Sequence, residues 1–157
     1  MLRILFAAVL SYLMGGFPTA IVVGKLFRGI DIRQYGSGNA GATNAFRVLG
    51  WKLALPVVLI DVFKGVAAVL FVAPLALPSA VLPAEAVRLI CGVAAVAGHV
   101  WTPYAGFRGG KGVGTGFGAM IAIAPLPTAM ASIVWIWVVL LTGYVSLASM
   151  LGAASVP

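Results

Sequence analysis

The sequence predicts an all-α fold: a polytopic integral membrane helical bundle of about five or more spanning helices, some broken by Gly or Pro, with two basic cytoplasmic loops. Three observations carry this expectation. Hydrophobic residues make up 62% of the chain and charged residues only 8%, with a mean hydropathy of +1.14, far outside the usage of soluble domains. Apolar runs approaching the ~20 residues that a spanning helix needs recur along the chain. The basic residues collect in the linkers between those runs. With 157 residues, four or five spans consume most of the length, so residues 1–157 read as a single membrane domain.

The first apolar run, Leu5 to Val23, follows Met-Leu-Arg as a secretory signal would. It lacks a small-residue cleavage site and continues through Gly15, Gly16 and Pro18. It therefore reads as a first span, in which neighbouring helices satisfy the loosened backbone. A linker of 28 residues, Lys25 to Lys52, holds Lys25, Arg28, Arg33, Arg47 and Lys52 against one acid, Asp31. By the positive-inside rule it is cytoplasmic and the N-terminus lies outside, although Arg3 votes weakly the other way.

A second span is expected over Leu53 to Ala73, followed by a nearly uncharged outer turn marked by Pro74, Pro78 and Pro83. A third, Glu85 to Val100, returns to a second basic loop with Arg108 and Lys111. From there to Leu141 the chain is almost wholly apolar. Pro125 and Pro127 interrupt it, giving either one kinked span or a short helix followed by a longer one. The last piece, Tyr144 to Pro157, is 14 residues long, short of the ~17 that spanning requires, and reads as cut off.

A net charge of +7 would point to nucleic acid in a soluble chain. Here the cations sit beside predicted spans, where they orient helices and meet anionic lipid head groups, so nucleic acid is not an expected partner. Cys91 is the sole cysteine and His99 the sole histidine, with three scattered acids. No disulfide can form within the chain, and no ligand cluster or cofactor motif points to a metal or other cofactor.

The polar segment Gly36-Ser37-Gly38-Asn39-Ala40-Gly41-Ala42-Thr43-Asn44 stands out between apolar runs. Gly36, Gly38 and Gly41 formally match a dinucleotide fingerprint, but Asp31 to Tyr35 is not the buried strand that motif requires. A phosphate nest remains: glycines allow consecutive N–H groups to face one anion. Ser37, Asn39 and Thr43 add donors, and Asn44 and Arg47, three apart on the following helix, are expected to share a face. The plainer alternative is a turn with Ser37 or Asn39 as N-cap and Gly50 as the helix stop.

Gly109-Gly110-Lys111-Gly112 lacks the Ser or Thr and the upstream spacing of a nucleotide-hydrolysis loop. Lys111, with Arg108 beside it, serves either as a phosphate-binding point charge or as a positive-inside anchor. Glycines at 110, 112, 114, 116 and 118 form small-xxx-small pairs, which suit close helix packing as well as substrate contact. His99 is the obvious general-base candidate, or else a structural donor. Asp61 and Lys64, i,i+3 within the second span, form either a mutual ion pair facing the bundle interior or a substrate contact.

Several segments together resemble the bacterial acyl-phosphate:glycerol-3-phosphate acyltransferase family of the PlsY type. They are Ser11 to Thr19, Asp31 to Arg47 with its GSGNAGATN core, Asp61-Val62-Phe63-Lys64-Gly65, Gly98 to Gly112, and, more briefly, Tyr144 to Ser149. The resemblance implies transfer of a fatty acyl group from acyl phosphate to the 1-hydroxyl of sn-glycerol-3-phosphate, giving lysophosphatidate and phosphate, the first step of phospholipid synthesis. It implies a bacterial cytoplasmic (inner) membrane location, membrane lipid around the chain, and other phospholipid-synthesis enzymes as further partners. Ser37, Asn39, Arg47 and His99 become the candidate catalytic residues. Gly36, Gly38, Gly41, Thr43, Asn44, Arg108, Gly110, Lys111 and Gly112 become the substrate-binding ones. The family normally continues into a third motif, so the chain is expected to be C-terminally incomplete relative to it.

His99 has no obvious orienting acid in the sequence, so direct attack without an acyl-enzyme is favoured over a Ser-His-Asp triad. The rival from another class is a non-catalytic carrier or exporter of a small phosphorylated compound, using the same loops. A structural small-xxx-small bundle would explain the glycines but leave the polar loop without a purpose.

Overall fold

The computed structural model describes residues 1–77 and 81–156. Of the expected outer-turn prolines, Pro78 lies outside the described residues, as does Pro157. Among the described residues the elements are helical: α1 (Leu2–Gly15), α2 (Thr19–Arg28), α3 (Ala42–Leu49), α4 (Trp51–Ala67), α5 (Ala84–Val100), α6 (Val113–Ile123), α7 (Pro125–Thr142) and α8 (Val145–Ala154). A π-turn over Ala68–Val72 and a 3-10 turn over Ala73–Leu75 prolong α4. Among the described residues four segments are long and apolar enough to cross a bilayer: Leu2–Arg28, Trp51–Leu75, Ala84–Ala105 and Pro125–Thr142. The helices Val113–Ile123 and Val145–Ala154 are apolar but shorter.

The first span is not continuous. Pro18 has no N–H and disfavours helical dihedrals at Phe17, so the chain breaks between α1 and α2. Such a break frees carbonyls that lipid cannot satisfy. The Thr102 hydroxyl donates to Gly16 O and the Lys64 ammonium to Phe17 O at 2.8 Å, which couples the break to α4 and to the end of α5. The apolar stretch after Gly112 resolves as a short helix followed by a longer one, α6 and α7, divided before Pro125.

The closest helix crossings are made by glycine. At Gly65 of α4 an added methyl group would run into the Thr115 carbonyl of α6, and at Gly118 of α6 into the Val62 carbonyl of α4. Gly15 of α1 likewise abuts Ala95 of α5, and Gly98 of α5 abuts Tyr12 of α1. With no driving force from water between helices, such close approach supplies the dispersion contact that holds a membrane bundle together. The small residues at 114 and 118 therefore act in packing, since a methyl group added at Gly114 would also lie 3.4 Å from Asp61 Cβ. Helices α7 and α8 pack chiefly on each other and, through α7, on α6.

Two buried apolar clusters mark opposite ends. Ile4, Ala7, Val72, Val87 and Cys91 join the starts of α1 and α5 to the end of the α4 segment. Ala20, Ile21, Ile32, Ala40, Ala45, Leu49 and Val57 form the second cluster, beneath the polar loops. Large apolar side chains such as Phe6, Leu59, Phe71, Val93, Ile133 and Leu140 are exposed on the flanks, as a lipid-facing surface requires.

Candidate active site

Both glycine loops lie at one end of the bundle. In the first, Asp31 accepts from the Arg33 backbone N–H at 3.0 Å and caps the 3-10 turn Ile32–Gln34. Arg33 donates to the same carboxylate from its side chain, Nε to both oxygens at 3.0 and 3.2 Å and Nη2 to Oδ2 at 2.7 Å. The guanidinium holds the Asp31 carboxyl down at a pKa of about 2 and is itself raised by it. Arg33 Nη1 donates across to Ala105 O at 2.8 Å. One arginine therefore ties the first loop to the second.

The loop wraps around Asn44, which is 2% exposed. Its amide donates to Ile32 O at 3.2 Å and Tyr35 O at 3.1 Å, and its Oδ1 accepts from the Ser37 N–H at 2.9 Å. Gly36, at φ 62, sits where a side chain would strike that Oδ1. The expectation that Asn44 and Arg47 share a face is corrected here: Arg47 is exposed while Asn44 points inward. Residues three apart differ by ~60° around a helix, and this difference spans the boundary between core and surface. Ser37, Gly38 and Thr43 are exposed, and Asn39 and Gly41 are half-buried.

The N-cap of α3 is Gly41, not Ser37 or Asn39, and no side chain caps it; Gly50 ends the helix as expected. Likewise α6 starts after Gly112, again without a side-chain cap. Each helix therefore has N–H groups without a side-chain acceptor at its first turn, where the helix dipole is positive. The start of α3 lies close to the loop that leads into α6. A methyl group on Gly41 would lie 4.0 Å from Gly110 Cα and from Lys111 N. Arg108 and Lys111 are exposed beside this junction, while Gly110 and Gly112 are buried.

Beneath the second loop lies a buried polar set. Asp61 and Lys64 pair at 2.8 Å, the Thr19 hydroxyl donates to Asp61 Oδ1 at 2.9 Å, and His99 Nδ1 lies 3.3 Å from Lys64 Nζ and 3.7 Å from Asp61 Oδ1. His99 thus has an acid close by after all. A separation of 38 residues along the chain concealed it, and only the packing of α4 on α5 reveals it. The opposite edge of the imidazole, at Nε2, abuts Gly110, whose N–H donates to His99 O at 3.1 Å. Sequence reading also missed the roles of Thr19 and Arg33. The available signal was the polar residue next to Pro18 and the Asp-x-Arg spacing.

A helical membrane bundle with two glycine loops and exposed cations gathered at one end is the build of an integral membrane protein that handles an anionic small molecule at the bilayer surface. The chain belongs to the glycerol-3-phosphate acyltransferase family, whose model matches residues 5–157. It is 50% identical over 162 aligned positions to the glycerol-3-phosphate acyltransferase of Chlorobium limicola, covering all of this chain and 69% of that protein. It is 51% identical to the one from Chlorobaculum parvum, covering 70% of it. The crystal structure of PlsY (YgiH), an integral membrane glycerol 3-phosphate acyltransferase, in its glycerol 3-phosphate form superposes with a TM-score of 0.85 at 37% identity, over 98% of this chain and 74% of that one. Its lysophosphatidic acid form gives a TM-score of 0.82 at 36% identity, over 98% and 73%. The activity is that of a PlsY-type membrane acyltransferase of phospholipid synthesis, which acylates glycerol-3-phosphate to lysophosphatidic acid.

Proposed function

We propose that the acyl donor is an acyl phosphate and that the junction of the two loops is where it meets glycerol-3-phosphate. The 1-hydroxyl of glycerol-3-phosphate attacks the acyl carbonyl carbon, and the bond from that carbon to the phosphate oxygen breaks. Phosphate leaves with the hydroxyl proton, so the products are lysophosphatidate and inorganic phosphate. No acyl-enzyme and no cofactor take part. The observation that carries this reading is the approach of the uncapped start of α3, at Gly41, to the glycine loop at Gly110 and Lys111 that leads into α6. A pair of phosphate-bearing substrates needs such donors fixed in advance.

In this reading Ser37, Asn39, Thr43 and Arg47 contact the donor phosphate and the charge that develops on it. Lys111 and Arg108 hold glycerol-3-phosphate as point charges. Gly36, Gly38, Gly41, Gly110 and Gly112 let backbone approach the anions. Asn44 acts by holding the first loop in shape. The loops face the cytoplasm and the N-terminus lies outside, an orientation supported by the basic residues of both loops, and residues 1–157 work as one membrane domain.

The test is to supply the purified protein with palmitoyl phosphate and labelled glycerol-3-phosphate and to follow labelled lysophosphatidate and released phosphate. Lys111→Ala is expected to raise the KM for glycerol-3-phosphate, whereas Ser37→Ala and Arg47→Ala impair acyl-phosphate use or turnover. An acylated Ser37 trapped by mass spectrometry during turnover would overturn the direct-attack mechanism. Accumulation of unmodified glycerol-3-phosphate in vesicles would favour the carrier instead.

A further inference from the structure

The two nitrogens of His99 have different surroundings, and those surroundings fix where its proton sits. Lys64 Nζ lies 2.8 Å from Asp61 Oδ1, 2.8 Å from Phe17 O and 3.3 Å from His99 Nδ1. An ammonium group has three protons to donate and no lone pair to offer. Its third neighbour, Nδ1, must therefore accept. A neutral imidazole that accepts at Nδ1 carries its proton at Nε2. Asp61 does not compete for an Nδ1 proton, because 3.7 Å is too long for a hydrogen bond and its Oδ1 already accepts from Thr19 and Lys64.

The Nε2 edge points at Gly110, the same loop residue that Gly41 approaches. His99 is only 7% exposed, so bulk water does not readily exchange for these partners. The groups around the ring are Asp61 and Lys64 from α4, with Thr19 of α2 behind Asp61, and the Gly110 backbone on the other side.

We propose that Lys64, held by Asp61, locks His99 as the Nε2–H tautomer, making His99 a hydrogen-bond donor directed at an anionic substrate oxygen at the loop junction and not a general base. Lys64 and Asp61 are then positioning residues that act through the imidazole. The identity of the acceptor as a substrate phosphate oxygen rests on the site reading above, but the tautomer does not.

His99 is the only histidine in the 157-residue chain, which makes the test direct. Histidine-selective 15N NMR on the full chain in detergent micelles, purified without a histidine tag at neutral pH, reads the protonation of each ring nitrogen. The expected result is a protonated Nε2 and an unprotonated Nδ1. The opposite tautomer, or an imidazolium, would overturn the proposal whatever the enzyme assays give. In Lys64→Met the preference for Nε2 should relax toward a mixture; an unchanged spectrum would remove Lys64 from the argument. If Lys64→Met does not fold, the wild-type spectrum still decides.

Kinetics separate donor from base. Glutamine sets an amide nitrogen near the Nε2 position and asparagine near Nδ1. His99→Gln is expected to stay within about tenfold of wild-type kcat, while His99→Asn falls about a hundredfold, the scale of losing one oriented donor. Equal losses in the two variants would exclude the donor role. Loss of acyltransferase activity in every variant and in wild type, with the expected spectrum intact, would sink the site reading and leave the tautomer standing.

Discussion

Removing the charge of Asp61 while leaving Lys64 is expected to destabilise the bundle more than removing both. In the folded protein the Lys64 ammonium is 4% exposed and has Asp61 Oδ1 and Phe17 O at 2.8 Å. Asp61→Leu strands that ammonium with a carbonyl and an imidazole, and Lys64→Met strands a carboxylate with only the Thr19 hydroxyl donating to it. Breaking a buried pair by removing one partner costs about 3–5 kcal/mol. The double variant carries no buried charge, and the Phe17 carbonyl keeps the Thr19 N–H as a donor at 3.0 Å, so its loss should not exceed the cost of one unpaired buried group, about 1–3 kcal/mol. The Thr19 hydroxyl already lies 3.5 Å from that carbonyl and can turn to it once Asp61 is gone. The double-mutant cycle should therefore show a favourable coupling of at least about 3 kcal/mol. Reversible unfolding in mixed detergent micelles, monitored by circular dichroism, measures all four proteins under one condition. If Asp61→Leu unfolds with wild-type free energy, or the double variant loses the sum of the single losses, the pair is not a coupled buried unit and the reasoning fails.

Other consequences follow from the same geometry. Gly118→Ala places a methyl group against the Val62 carbonyl of α4; because backbone cannot yield as a side chain does, the melting temperature should fall sharply, whereas Gly116→Ala, with Val96 3.7 Å away, should be tolerated. Asn44→Ala takes one donor each from Ile32 O and Tyr35 O, which keep the Tyr35 and Gly38 N–H groups, and leaves the Ser37 N–H without its acceptor; with about 0.5–1.5 kcal/mol lost for each of these three hydrogen bonds, the first loop loosens, and acyltransferase activity should collapse before the far-ultraviolet spectrum changes. Asp31 has a folded pKa of about 2, depressed by Arg33, so its contribution to stability is fully present above the unfolded carboxyl pKa of about 3.9 and is lost as pH falls from there through about 2. Stability profiles of wild type and Asp31→Asn should accordingly run parallel between pH 5 and 8, taken as roughly the usual range of greatest stability, and converge in acid; divergence around neutral pH would refute the assignment.

The spans were legible because lipid imposes a one-dimensional rule. A helix that crosses must be apolar over its length, and cations must stay near its ends, so Leu53 to Ala73 and Glu85 to Val100 could be placed within two residues of the helical segments Trp51–Leu75 and Ala84–Val100. The break at Pro18 was harder to place. The sequence contains the proline but not the donors from Lys64 and Thr102 that make a broken span tolerable in a bilayer. The two glycine loops were equally visible as composition. Their meeting was not, because Gly41 and Gly110 are brought together by how α3 to α6 pack.

Chemistry-bearing residues were therefore found one by one, and their relations were not. Asp61, Lys64 and His99 are each conspicuous in an apolar chain, since a charge in a span is costly unless paired. A membrane-embedded helical bundle with two basic glycine loops could be read directly along the chain, because hydrophobicity, charge placement and glycine spacing are local properties. Folding alone turns Asn44 inward while Arg47 stays out, brings Arg33 onto the second loop, and sets Lys64 against one nitrogen of His99 and Gly110 against the other. Those outcomes depend on distances between residues far apart in sequence, set by the glycine contacts that let neighbouring helices approach.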